Sequence, residues 1–160
     1  MNTTTHTIQV EHVIIRSSKS FADVREKLEH AVPNLNPEIT SLMVSGDTKW
    51  LQENFEAGPE LAIFLSRDHG GLLRITGQPR KAMQYEIGNP LTASEMTRHQ
   101  LAAGLYAPLR IVLYEDQDGR SVFEYDRPSS LLEQFGDQQV DDVAHGLDLS
   151  LERALRQALE

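Results

Sequence analysis

The stretch Lys81–Pro128, KAMQYEIGNPLTASEMTRHQLAAGLYAPLRIVLYEDQDGRSVFEYDRP, decides the fold. Its pattern predicts strand, tight turn, short helix, loop, strand, hairpin turn, strand and a proline stop. Met83, Tyr85 and Ile87 alternate with Ala82, Gln84 and Glu86, the period-two signature of a strand with one buried face. Gly88-Asn89-Pro90 breaks it, with Asn89 as helix N-cap and Pro90 at the first helical position, where a missing N–H goes unused. Leu109–Tyr114 is apolar on both faces apart from Arg110, which predicts a central strand. Asp116-Gln117-Asp118-Gly119 supplies the hairpin turn, with glycine available for positive φ, and Ser121–Asp126 returns.

These motifs resemble the domain of unknown function 302 family. The resemblance rests on GNP after an apolar-aromatic strand, a Met-bearing helix, Ala107-Pro108-Leu109, YEDQDG and EYDRP. It runs in order from about Phe21 to Gly136 and is close from Tyr85 to Pro128. It implies a small bacterial α+β domain with a strand–GNP–helix unit. It implies no agreed activity and no catalytic residues. The family often has Leu-Pro where this chain has Ala107-Pro108.

Outward from this stretch, Ile8, Val10, His12 and Ile14 alternate with polar neighbours and predict a first strand, behind a disordered tail at residues 1–5. Ser20 with Asp23 is a capping-box variant opening a helix with Phe21, Val24, Leu28 and Val32 on one stripe, ended by Pro33. Asn36-Pro37 starts another helix with Ile39, Leu42 and Met43 inward. Asp47 is expected to cap a third, carrying Trp50, Leu51 and Phe55 up to Gly58-Pro59. Leu61–Leu65 predicts a buried strand, turned back by Asp68-His69-Gly70-Gly71 into a strand at Leu72–Thr76. Leu131, Leu132 and Phe135 predict a short helix over the sheet. From Asp137 onward Val140, Val143, Ala144, Leu147, Leu151, Ala154, Leu155 and Ala158 form the clearest amphipathic helix, with Gly146 suggesting close packing or a bend. The expected architecture is a single domain over residues 1–160, α+β in two layers. About six strands form a mainly antiparallel sheet with helices packed on one side.

Composition excludes several functions. Fifteen basic against 24 acidic residues give a net charge of −9, which argues against nucleic acid and anionic membranes as partners. The absence of cysteine removes thiol catalysis, iron–sulfur clusters and cysteine-rich zinc sites. Neither a signal-peptide pattern nor an apolar run of membrane length is visible, so the expected compartment is the cytoplasm.

Two places suggest chemistry. Glu95, Met96 and His99 are neighbours at helical spacing, which suits a haem or metal ligand pair, but no HExxH or second histidine completes a set. A surface histidine beside a core methionine is the simpler reading. At Gly88-Asn89-Pro90 a helix start aims N–H groups outward, with Thr92, Ser94, Arg98 and Arg110 near enough in sequence to assist an anion. A turn satisfied by its own Asn89 is the simpler reading there too. Walls of Met83, Tyr85, Met96 and Tyr125 complete the expected cleft. The ligand-binding candidates are thus Asn89, Thr92, Met96, His99, Arg110, Tyr85 and Tyr125; no catalytic or metal residue is assigned.

The acidic hairpin lacks a calcium-loop pattern, and no GxSxG elbow or glycine-rich phosphate loop is present. The expected function is non-enzymatic binding of a small molecule with an apolar body and an anionic end, its identity and any cofactor unspecified. The alternatives are a haem- or metal-binding protein or acid–base enzyme using His99, or a dimeric interaction protein. A homodimer is expected from the long apolar stripe of the last helix.

Overall fold

Neighbouring strands in the sheet all run antiparallel, in the order β1-β5-β4-β3-β2. The strands are β1 (His12–Ser17), β2 (Ala62–Asp68), β3 (Ala82–Gly88), β4 (Leu109–Glu115) and β5 (Ser121–Asp126). The helices are α1 (Phe21–Ala31), α2 (Pro37–Ser45), α3 (Thr48–Glu56), α4 (His69–Leu72), α5 (Pro90–Thr97), α6 (Pro128–Leu132) and α7 (Gln138–Leu159). This computed structural model describes residues 1–46 and 48–160, with the side chains of Thr40, Leu42, Met43, Ser45, Thr48, Leu51, Asn54 and Phe55 outside the description. The cap expected at Asp47, and the inward faces expected of Leu42, Met43, Leu51 and Phe55, lie outside the described residues.

The decisive stretch folds as read. β4 occupies the centre, flanked by β3 and β5, and Gly119 takes φ 76° in the hairpin turn. Strand register stacks Met83, Tyr85 and Ile87 beside Leu113, Ile111 and Leu109, with Phe123 and Tyr125 beyond. Against this face lie Val24 and Leu28 of α1, Met96 of α5, Leu132 of α6 and the stripe of α7, all in one apolar cluster. The caps hold too: Ser20 Oγ accepts the Asp23 N–H at 3.1 Å, and Asp137 Oδ1 accepts that of Gln139 at 2.9 Å.

Five strands form, not six. The segment expected as a strand at Leu72–Thr76 is the end of α4 followed by a 3-10 turn, Leu73–Thr76. Asp68 causes the difference, since its carboxylate accepts the Gly71 N–H at 2.6 Å and starts a helical turn where a hairpin was expected. Gly70 makes that turn possible: a Cβ there would lie 2.2 Å from the Arg80 carbonyl oxygen.

Three finer expectations also change. β1 starts at His12, leaving Ile8 and Val10 outside, and its phase is opposite to that expected. Val13 and Ile15 pair with Tyr125 and Phe123 on the core face, while Ile14 is 42% exposed. The strand at Leu61–Leu65 is an edge: Leu61, Ala62 and Ile63 are buried but Leu65 is not. Gly146 marks no close contact, because a Cβ there would meet nothing within 4 Å. The α7 stripe packs inside the chain, with Val140, Ala144, Leu147, Leu151, Leu155 and Ala158 all buried. That stripe therefore gives no reason for a homodimer.

The opposite sheet face is open to solvent and ordered by charge. His12 on β1 lies against Asp126 and Glu124 on β5, then come Arg110 on β4, Glu86 on β3 and Arg67 on β2. Alternating signs across neighbouring strands avoid like-charge pairs on a wet face.

Candidate functional site

Asn89 is where the local signal and the tertiary structure meet. β3 ends at Gly88, and Asn89 leaves it with extended backbone (φ −138°, ψ 126°) before Pro90 opens α5. The Asn89 side chain is engaged at both ends. Its Oδ1 accepts the Leu91 N–H at 2.9 Å, and its Nδ2 donates toward the carbonyls of Glu60 and Pro59 at 3.4 and 3.5 Å. The Ala93 N–H goes to the Asn89 carbonyl at 2.9 Å. One donor of the helix start, the Leu91 N–H, is thus taken by the cap, and the Asn89 amide joins β3 to the loop before β2.

Concavities lie on either side of it. One, of about 30 Å³, is walled by Phe64, Thr92, Met96 and Pro108, with room for roughly one water. The other, of about 170 Å³, lies between the Pro33–Asn36 segment, Ile39 of α2, Pro59, Ala62 of β2 and the Gly88-Asn89-Pro90 turn. Its geometry depends on a single parallel bridge. Leu35 N–H donates to the Ile63 carbonyl at 2.8 Å, and Ile63 N–H donates to that of Pro33 at 2.9 Å. This lays the Pro33–Leu35 segment along the outer edge of β2. A larger hollow, about 670 Å³, lies between α1 and the end of α7, but its polar lining, Asp23, Glu26, Lys27, His30, Gln157 and Glu160, is all exposed. It is a solvated groove.

The candidate residues divide into three groups. Asn89, Thr92 and Met96 share the wall of the small apolar hollow, and Asn89 also reaches the larger one. Tyr85 and Tyr125 are core residues on either side of Ile111, so the cleft expected between Met83, Tyr85, Met96 and Tyr125 is filled by the chain's own packing. The Tyr85 hydroxyl leaves the core at one point, donating to Glu29 Oε1 at 2.9 Å, and Arg25 Nε donates to the same oxygen at 2.9 Å. Burial, then the Glu29 carboxylate, push the Tyr85 phenol well above its ordinary range, and burial raises that of Tyr125.

His99 and Arg110 stand apart from these. His99 is exposed, and its Nε2 accepts from the Arg98 guanidinium at 3.0 Å, away from the buried Met96. Among the described residues no cluster of three or more His, Asp or Glu is placed to hold a metal ion. Arg110 lies exposed on the open sheet face, opposite the helices, and lines neither hollow.

Asn34, Asn36, Ile39 and Pro59 line the 170 Å³ hollow and are not among the residues expected from the sequence. The available signal was the run Pro33-Asn-Leu-Asn-Pro37, two prolines and two asparagines in five residues, which reads locally only as a helix stop and start.

On the open face a polar cluster surrounds His12. Its Nδ1 lies 2.8 Å from Asp126 Oδ1 and its Nε2 3.3 Å from Glu124 Oε2, while the Tyr114 hydroxyl donates to Glu124 Oε1 at 2.5 Å. The carboxylates of Asp126 and then Glu124 raise the His12 pKa. The Tyr114 hydrogen bond, with His12, lowers that of Glu124. The cluster lies on a strand surface and clasps the edge strand β1 to β5.

The family model described as domain of unknown function DUF302 matches residues 49–158. The crystal structure of an uncharacterised conserved DUF302 protein from Bacillus stearothermophilus is similar, with a TM-score of 0.66. That match covers 92% of this chain and 97% of the other at 17% identity, a likeness that bears on fold alone. No curated protein matches the chain.

Proposed function

The chain belongs to the DUF302 family, and from that premise we propose that it binds a small molecule in the 170 Å³ hollow beside Asn89. The observation that carries this reading is the make-up of the hollow: apolar walls from Leu35, Ile39 and Ala62, with the amides of Asn34, Asn36 and Asn89 around them. Small-ligand sites have this composition, with apolar walls and a few placed polar groups. The volume falls below the roughly 300–1,000 Å³ of drug-sized sites, so the ligand is small. Among the described residues the lining holds no titratable side chain, so acid–base chemistry forms no part of the proposal. Arg110, expected from the sequence at an anionic end, lies on the open sheet face and does not line the hollow.

Native mass spectrometry of the protein purified without dialysis tests the proposal. A non-covalent adduct is expected, reduced or lost in Ala62→Leu, whose larger side chain would enter the hollow. A thermal melt on the same variant checks that it still folds. An adduct retained unchanged by folded Ala62→Leu, or the absence of any adduct, would overturn the assignment.

A further inference from the structure

We infer that the hollow beside Asn89 takes an uncharged ligand of about one ring, bearing a carboxamide or a group of equivalent donor and acceptor pattern. This deepens the binding reading above and rests on it.

Size comes first. A dry cavity of roughly 150 Å³ accommodates one benzene, and this hollow has about 170 Å³. A ring with one small substituent fills it, with anything larger extending past the exposed rim at Asn34 and Asn36. The walls are preformed, because Pro33, Pro59 and Pro90 bring fixed φ from three separate segments. Little ordering of the backbone is therefore needed when a rigid ring enters.

Charge comes next. Among the described residues the lining contains no Lys, Arg, His, Asp or Glu. A charged group entering would find no counter-ion side chain, only the partial charges of the α2 and α5 starts, and a neutral polar group gives up less hydration. The chain's net charge of −9 works further against an anion. Glu60, next to Pro59, is engaged with Ser150 and, at 3.0 Å, with Arg153.

The hydrogen-bonding pattern selects the substituent. Asn89 is held by its own turn and contributes shape. Asn36 Oδ1 accepts the Glu38 N–H at 3.0 Å, which leaves its NH2 as a donor. The Asn34 amide has no side-chain partner among the described residues and offers both a donor and an acceptor. Two asparagine amides offering donors together with an acceptor match a carboxamide, lactam or ureide, which presents a carbonyl oxygen and an N–H side by side.

The test is a matched titration of the full chain followed in two-dimensional amide NMR spectra. The probes are benzamide, benzoate, benzamidine and toluene, alike in ring and different in charge and polarity. Benzamide should move the amides of Asn34, Asn36, Ala62 and Asn89. Benzoate and benzamidine should bind at least roughly tenfold more weakly. Asn34→Ala, at an exposed side chain, should weaken benzamide severalfold and leave the remaining spectrum in place. Equal binding of benzoate or benzamidine would overturn the charge argument while leaving the hollow as a site. Equal binding of toluene would overturn the carboxamide assignment in the same way. If no probe moves these amides, the one-ring inference fails, while the binding reading stands or falls on the adduct and its loss in Ala62→Leu.

Discussion

Asp148 provides a direct measure of how α7 is fastened to α6 at the end of β5. It is 7% exposed, within a helix whose neighbouring positions Leu147 and Leu151 are buried apolar residues. Its Oδ1 accepts the backbone N–H of Ser129 at 3.0 Å, at the start of α6, where both partners are buried. Its Oδ2 lies 3.9 Å from the Arg127 guanidinium, which also has Glu11 at 2.7 Å. Replacing Asp148 by alanine removes the only side-chain acceptor of that N–H among the described residues. A hydrogen bond to a charged group contributes about 1.5–3 kcal/mol, and an orphaned buried donor loses about 1–3 kcal/mol. These are two descriptions of one loss and do not add, so Asp148→Ala should destabilise by about 2 kcal/mol. Asp148→Asn keeps an oxygen in place and should lose roughly half as much, since a neutral acceptor is about half as strong. Urea denaturation should show lower midpoints at unchanged slope, and the alanine variant should melt roughly 4–8 °C lower, at about 2–4 °C per kcal/mol for a chain of this size. If asparagine proves as damaging as alanine, the ion pair with Arg127 is what matters. If alanine loses less than about 0.5 kcal/mol, as at an ordinary surface site, the fastening is elsewhere.

Gly146→Ala should raise stability by about 0.5–1 kcal/mol, because a Cβ at this exposed helical position meets nothing; a lower urea midpoint would refute the open-space argument. His12 should titrate above its ordinary 6.5 in NMR spectra and return toward it in Asp126→Asn, since Asp126 is the first cause of the rise. Because the folded pKa is the higher one, its contribution is complete below about 6.5 and disappears as pH rises through the folded value; a folded pKa at or under 6.5 would contradict the geometry. Arg110→Gln should shift the thermal midpoint within the range of ordinary surface changes, about ±0.5 kcal/mol, and leave ligand adducts unaltered; loss of the adduct would return Arg110 to the site.

The elements that were legible are those in which one local feature has a single outcome. Met83, Tyr85 and Ile87 fall on one parity with polar residues on the other, so only one face of β3 can be buried. Ser20, Asn89 and Asp137 each accept an N–H within three residues, a contact that five residues of sequence contain in full. β1 was ambiguous because Ile8, Val10 and Ile14 share one parity and Val13 and Ile15 the other. Only the pairing to Phe123 and Tyr125, more than a hundred residues away, selects between them. Leu72–Thr76 failed for a related reason. Its composition suits a strand, yet the Asp68 cap turns the chain into α4 just ahead of it.

The site was less legible than the fold, because a cap and a pocket answer to different ranges of the chain. Asn89 was recognisable as an N-cap, but which surfaces it meets depends on what lies across β2. The Pro33–Leu35 segment arrives there through one parallel bridge to Ile63, a contact that neither segment announces alone. Strand parity likewise placed Arg110 away from its neighbours Leu109 and Ile111. The side of the sheet left open is set by where α1 and α7 pack, not by anything near residue 110. Tyr85 and Tyr125 carry the composition of a cleft wall, yet both pack in the core with Ile111 between them. Concavity therefore remains at the sheet's outer edge, where β2 has no further antiparallel partner and a short proline-bounded segment closes only part of the gap.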